Sequence, residues 1–236
     1  MSNPQLELAF ETRPWGGRRE GAGRKPIKGR HDADHRRRPE VVPSVPLHVV
    51  LRTVASVPRL RQQKTYDAIR RALALTMNRG GSFRVVHISI QHNHLHLIVE
   101  AGLRDVLTKG MQALAIIAAR AINRACGRKG KVFAYRYHAT PITSRRQMRN
   151  TLAYVLNNWR RHDEDRRNVR TARAVVDPYS TGIWFGGWAG MEDQFFPIPP
   201  SFIPLPAANA TCWLLTTGWK AHGLIGVRER PGPLRS

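Results

Sequence analysis

The alternation of apolar and polar residues predicts a mixed domain that begins near residue 46. Period-two patterns rich in β-branched residues predict strands over 47–54, 83–90, 94–100 and 132–138. Apolar residues spaced three and four apart predict helices over 64–77, 105–124 and 144–161, with Ser144 as the N-cap of the last. The elements therefore follow the order β-α-β-β-α-β-α.

This order predicts an α+β fold. β-α-β-β-α-β is the split pattern of ferredoxin-like proteins, in which helices cover one face of an antiparallel sheet. The helix over 144–161 follows as an additional C-terminal element. We divide the chain into a basic, disordered arm at 1–45, the α+β domain at 46–176, and a Trp/Pro-rich extension at 177–236 that packs on the domain.

The charge of the chain indicates which kind of partner it binds. The 236 residues include 39 Lys and Arg against 16 Asp and Glu, a formal net charge of +23 at pH 7. Such a field attracts polyanions, so the expected partner is nucleic acid or an anionic membrane surface. No apolar stretch is long enough to predict a membrane span, and two cysteines cannot form a disulfide framework. We therefore expect a cytoplasmic, nucleoid-associated protein.

The arm concentrates this charge. Residues 13–38 contain ten Lys and Arg against three Asp and Glu. A block of like charge of this size favours an arm that binds phosphate backbone, and the alternative is a tail that only improves solubility.

A His-Leu-His triplet is the first candidate for chemistry. On a strand, residues i and i+2 share a face, so His94 and His96 project together while Leu95 and Leu97 face the core. Two adjacent imidazoles form half of a divalent-metal site. Taken alone, the triplet favours the plainer interpretation of two surface histidines.

The last predicted helix supplies the second candidate. Tyr154 and Asn158 are four residues apart and so lie on one helical face. The amide oxygen can bind Mg²⁺ or Mn²⁺, and the tyrosine hydroxyl is a possible nucleophile. The alternative is a tyrosine that packs in the core with a solvated hydroxyl.

Together these stretches resemble a known family, the single-tyrosine HUH transposases, in particular the REP-associated tyrosine transposases and their insertion-sequence relatives. The resemblance covers about residues 46–162. It rests on the motifs at 93–97, 132–138 and 154–158 in the family's element order.

The resemblance implies a metal-dependent endonuclease and strand transferase that acts on single-stranded, hairpin-associated DNA. His94, His96 and Asn158 would bind Mg²⁺ or Mn²⁺, and Tyr154 would form a 5′-phosphotyrosine intermediate and free a 3′-OH. Family relatives include monomers and homodimers, so both states remain open here. His92 falls in the turn before the triplet, and we interpret it as a bystander.

Basic and aromatic side chains near the helix are candidates for contact with DNA. The basic set is Arg136, His138, Arg145, Arg146, Arg149, Arg160 and Arg161. The same segment continues with Arg166, Arg167, Arg170 and Arg173. The aromatic residues of the extension (Trp184, Phe185, Trp188, Phe195 and Phe196) could stack on bases, but packing over the sheet is the favoured interpretation.

Two rival functions remain. One is a non-catalytic DNA-binding module, a retired transposase that keeps the fold and the charge. The other is a metalloenzyme that acts on RNA or nucleotides, which leaves Tyr154 unexplained.

Overall fold

The structure, a computed structural model, describes residues 40–78, 82–164, 174–191 and 202–233. These residues all belong to one compact unit. Nearly all of the predicted arm lies outside the described residues, as do the four arginines at 166–173 and the two phenylalanines at 195–196.

A four-stranded antiparallel sheet forms the centre of the domain. Its strands are β1 (Leu47–Arg52), β2 (Arg84–Ile90), β3 (His94–Glu100) and β4 (His138–Pro141), in the spatial order β2-β3-β1-β4. The helices are α1 (Gln63–Met77), α2 (Arg104–Ala125) and α3 (Arg145–Arg161). Element order and strand order together confirm the predicted ferredoxin-like α+β fold.

The prediction of a strand over 132–138 is wrong. Residue 133 makes only an isolated bridge to Thr53, and regular pairing with β1 begins at His138. Val132 is buried, whereas Tyr135 and Arg136 are exposed where the chain bends. The alternation of apolar and polar residues therefore indicates which side chains contact the core, and it does not indicate where strands form hydrogen-bonded pairs. Pro141 can end β4 because this strand lies at the sheet edge, where no partner requires its missing N–H.

The two faces of the sheet carry separate cores. Leu95, Leu97 and Val99 of β3 pack under α1 and α2. Ile98 packs on the opposite face with Leu152, Val155 and other residues of α3. Because side chains alternate along a strand, His94 and His96 lie on the face covered by α3.

The extension completes the core beneath α3 and covers the edge of β2. It contains β5 (Trp188–Ala189), α4 (Trp213–Thr216) and β6 (Ile225–Gly226), and short 3-10 turns at Gly182–Trp184 and Gly218–His222. Backbone bonds join Thr181 N to Ile88 O (2.9 Å) and Ile90 N to Tyr179 O (2.8 Å). The otherwise open edge of the sheet is therefore paired.

A buried ion pair anchors this extension to the domain. The Arg61 guanidinium donates to both carboxylate oxygens of Asp177, at 2.9 and 2.8 Å, and to the Ile90 carbonyl at 2.9 Å. Such bidentate, fully bonded pairs have well-defined geometry.

Candidate active site

Two imidazoles converge at the start of β3. The Nε2 atoms of His94 and His96 are 2.9 Å apart. The opposite nitrogen of each ring also has a partner, since His94 Nδ1 lies 2.8 Å from Asn93 Oδ1 and His96 Nδ1 lies 3.0 Å from His48 Nε2. The contact at Nδ1 thus fixes the orientation of each ring, and the two Nε2 atoms face each other.

Burial keeps these imidazoles neutral near pH 7. Desolvation, followed by the charges of neighbouring basic groups, lowers the pKa of His94 to about 4 and that of His96 to about 2. Desolvation and the nearby His138 and His94 likewise lower the pKa of His48 to about 4. Neutral imidazole is the form that binds a metal ion.

Helix α3 places a tyrosine beside these rings. The helix starts at the expected N-cap, where the Ser144 hydroxyl accepts from Gln147 N at 3.1 Å. Leu152, Val155 and other apolar side chains of α3 are buried against the sheet, which fixes the rotation of the helix. The Tyr154 ring centroid consequently lies 5.2 Å from that of His96, with the planes edge to face.

Asn158 follows one turn later and is fully buried. Neither atom of its side-chain amide has a hydrogen-bond partner among the described residues. Tyr154 and Asn158 are four residues apart on one face of α3, and the Tyr154 ring contacts His96. Asn158 therefore lies on the helix face that carries the contact with the histidine pair.

This donor set fits a divalent cation. Two nitrogens that each lie about 2.1 Å from one ion, at about 90°, are about 3 Å apart, which matches the Nε2 separation. The Asn158 amide oxygen, buried with no hydrogen-bond partner among the described residues, is a suitable third ligand. Within the described part of the chain, no three His, Cys, Asp or Glu side chains are grouped so that they could bind a metal ion by themselves.

A cavity of about 320 Å³ opens next to Tyr154. His48, His138, Thr140 and Arg161 contribute to its wall, and Pro233 lies at its rim. The Arg161 guanidinium carbon is 5.8 Å from the Tyr154 ring centroid. The cavity thus joins a phenol, imidazoles and a guanidinium, a combination suited to an anionic group.

The seven basic residues predicted to contact DNA divide into two sets. Arg149 pairs with Glu229, with Nη2 and Oε2 2.7 Å apart, and Arg160 donates to the carbonyls of Val227 and Val175 at 3.0 and 2.7 Å. These two residues attach the C-terminal segment to α3. The other five side chains are exposed: Arg136, His138, Arg145, Arg146 and Arg161.

The structure also places His92, Glu100 and three aromatic residues of the extension. His92 is exposed in the turn before β3, and its interpretation as a bystander stays a prediction. Glu100 accepts from Arg84 at 2.9 Å and from the backbone N–H of Thr211 and Cys212, so it anchors the start of α4. Phe185 and Trp188 are buried, whereas Trp184 is 55% exposed.

His48 is the site residue that sequence analysis missed. It lies on β1 and reaches the histidine pair only through sheet pairing, at a separation of 48 residues from His96. The sequence signal that could have revealed His48 is its place in the predicted strand, where it lies on the face opposite to the apolar residues Leu47 and Val49. That signal becomes informative only when the strand order is known.

The protein is thus an α+β protein in which a helix carries a tyrosine over two imidazoles of an antiparallel sheet. This arrangement is a candidate active site with a metal-binding part and a nucleophile. A family model described as an IS200-like transposase matches residues 41–158, which is half of the chain. The matched range includes His48, both histidines of the pair, Tyr154 and Asn158. The chain belongs to the IS200-like transposase family. No curated protein sequence matches it.

Three solved structures share parts of the fold. A REP-associated tyrosine transposase bound to a REP hairpin is 15% identical, with a TM-score of 0.45 over 56% of this chain and 74% of its own. A transposase from Deinococcus radiodurans is 16% identical, with a TM-score of 0.33 over 50% of this chain and 87% of its own. A bacterial tRNA(His) guanylyltransferase-like protein in complex with GTP is 11% identical, with a TM-score of 0.39 over 57% and 69%. Similarities this weak say nothing further about the chemistry of this chain.

No helix in the described ranges is both long and apolar enough to cross a membrane.

Proposed function

We propose that the protein is a metal-dependent single-stranded DNA endonuclease and strand transferase that uses Tyr154 as its nucleophile. The observation that carries this proposal is the contact of the Tyr154 ring with His96, whose Nε2 lies 2.9 Å from that of His94. Family membership supports DNA as the substrate, and a net charge of +23 supports a polyanionic partner. The preference for hairpin-associated DNA comes from the family resemblance.

In this proposal His94, His96 and Asn158 bind Mg²⁺ or Mn²⁺. A divalent ion bound there would neutralise charge on the scissile phosphate and orient it for in-line attack. The reaction needs such an ion because a phenol with a pKa of about 10 is a poor nucleophile at neutral pH.

The chain's own residues then position the reacting groups. Tyr154 loses its proton and its oxygen bonds to phosphorus, while the P–O3′ bond breaks and the leaving 3′ oxygen takes up a proton. The products are a 5′-phosphotyrosine and a free 3′-OH, and the reverse attack by a 3′-OH rejoins strands without another energy source. Arg161, exposed at the cavity beside the phenol, is suited to contact the phosphate.

The test uses single-stranded hairpin oligonucleotides with randomised flanks, labelled at either the 3′ or the 5′ end, incubated with the full chain and Mg²⁺. We expect a denaturant-resistant protein adduct that carries the 3′ label, and a released fragment that carries the 5′ label. Tyr154→Phe and EDTA should each abolish the adduct. Tyr135→Phe is the matched control, since Tyr135 is 64% exposed outside the site and its loss should change nothing.

An adduct that survives Tyr154→Phe would refute the assignment of the nucleophile. Absence of any adduct, with DNA binding equal in the wild type and Tyr154→Phe, would favour a non-catalytic DNA-binding module. Cleavage of matched RNA oligonucleotides in place of DNA would favour the metalloenzyme alternative.

A further inference from the structure

We infer that His48 is a positioning residue for the metal site: its Nε2 determines which nitrogen of His96 carries the proton. This inference rests on the proposed function, because it concerns how His96 becomes able to bind a cation. In this role His48 would act through His96 and would not bind the ion itself.

Sheet pairing places His48 behind His96. His48 of β1 lies opposite Ile98 of β3, and Val50 lies opposite His96, so the two histidines are diagonal neighbours on one face. Their ring centroids are 5.2 Å apart and the ring planes are inclined by only 19°, so the rings meet edge to edge and a ring N–H of one can point at the other. The contact between His48 Nε2 and His96 Nδ1 is 3.0 Å long. The position of His48 is therefore set by the strand register.

The contact between His48 and His96 matters because each neutral imidazole ring carries only one N–H. A neutral imidazole has one N–H, and the nitrogen that binds a metal must be the other one. Without a cation, an N–H on one Nε2 can donate to the other across 2.9 Å. With a cation between them, both Nε2 atoms must be bare, so each ring must carry its proton on Nδ1.

Each Nδ1 then needs an acceptor, and the structure offers one to each. His94 Nδ1 faces Asn93 Oδ1 at 2.8 Å. For His96 Nδ1, the acceptor among the described residues is His48 Nε2. His48 must accordingly carry its own proton on Nδ1 when the cation is bound. Outer partners of metal-binding histidines commonly fix the tautomer in this manner.

A side chain without an acceptor at position 48 would leave the His96 Nδ1–H buried and unpaired. The expected result is a loss of metal affinity of about 10–100-fold, the usual effect of removing an outer partner. A side chain that keeps an acceptor at the same reach should retain most of the affinity. His48→Leu and His48→Gln make this comparison, because the glutamine amide oxygen can accept the hydrogen that leucine cannot.

The experiment measures Mn²⁺ binding to the full chain by calorimetry for the wild type, His48→Leu, His48→Gln and His94→Ala. A second readout is the tautomer of His96 in the Zn²⁺-loaded protein, from two-bond ¹⁵N–¹H correlations. We expect His48→Leu to bind Mn²⁺ about 10–100-fold more weakly, and His48→Gln to stay within a few-fold of the wild type. The His96 proton should lie on Nδ1 in the wild type and in His48→Gln. Thermal unfolding of both variants checks that the sheet is intact.

Equal Mn²⁺ affinity in His48→Leu and the wild type would overturn the inference. So would equal losses in His48→Leu and His48→Gln, because the acceptor would then be irrelevant. A wild type that binds Mn²⁺ no better than His94→Ala identifies a different failure, that of the proposed metal site itself.

Discussion

Replacement of Asn158 by alanine should stabilise the metal-free protein, although truncation of a buried side chain normally destabilises. Asn158 is fully buried on α3, and neither amide atom has a partner among the described residues. Removing an unpaired buried polar group relieves about 1–3 kcal/mol, and the higher helix propensity of alanine adds about 0.5 kcal/mol. The small cavity that remains costs about 0.5–1 kcal/mol. The net expectation is a gain of about 0.5–3 kcal/mol, with a central value of about 1.7 kcal/mol.

The same substitution should remove most of the stabilisation that a cation provides. A ligand at 100 times its dissociation constant stabilises the native state by about 2.7 kcal/mol, whereas a site 50-fold weaker gains only about 0.6 kcal/mol. The wild type should therefore be the less stable protein in EDTA, and it should gain about 2 kcal/mol more from Mn²⁺ than Asn158→Ala does. For a chain of this size, 1 kcal/mol corresponds to a shift of about 2–4 °C in Tm.

The assay is thermal or urea unfolding in EDTA and across a Mn²⁺ titration. Asn157→Ala is the matched control: Asn157 is about as buried on the same helix, but its Nδ2 donates to the Gly226 carbonyl at 3.0 Å, and only its Oδ1 has no partner among the described residues. Loss of that hydrogen bond offsets the relief of one unpaired atom, so Asn157→Ala should be less stable in EDTA than Asn158→Ala and should keep the full Mn²⁺ response. If Asn158→Ala loses stability in EDTA, or keeps the wild-type Mn²⁺ response, the amide is not the third ligand that we describe.

Two further predictions follow from the charged groups. Hydrogen bonds from Arg149, partly opposed by burial, hold the pKa of the Glu229 carboxyl below its ordinary value. The ionised Glu229 carboxylate should therefore stabilise the native state fully above about pH 5, and this stabilisation should decline as pH falls through the lowered pKa. Glu229→Gln should cost about 1 kcal/mol near pH 7 in urea unfolding and progressively less in acid. Asp67→Asn, which alters a partly exposed 3.9 Å pair with Arg70, is the control, and a stability difference that does not change in acid would contradict the ion-pair role of Glu229. Arg146→Ala should weaken single-stranded DNA binding about equally for all sequences and reduce the slope of log K against log salt by about 0.7, measured by fluorescence anisotropy. A wild-type slope that corresponds to fewer than about three phosphates would contradict phosphate contact by the exposed arginines.

Local pattern was enough to locate most elements and the two motifs of the candidate site. Helix α3 begins at the predicted N-cap, and β3 spans the predicted residues, because capping and side-chain alternation are properties of neighbouring residues. The predicted strand over 132–138 failed because alternation records burial, whereas a strand also requires a partner backbone in register.

The assignment of arginines shows the same limit. Nine arginines around α3 indicate phosphate binding, yet Arg149 and Arg160 bind the C-terminal segment. Their partners, Glu229 and the Val227 carbonyl, are more than 60 residues away in the chain. Spacing along one helix cannot reveal such partners.

The sequence by itself determined the α+β class, the basic character and the pairing of His94 with His96, since each depends on composition or on a short repeat. Only the tertiary structure brought His48 next to His96 and set the Tyr154 ring against that imidazole. It also buried the Asn158 amide where no described residue pairs with it. These relations depend on strand order and on the rotation of α3 over the sheet. Both are settled by the packing of two cores, to which residues distant in sequence contribute.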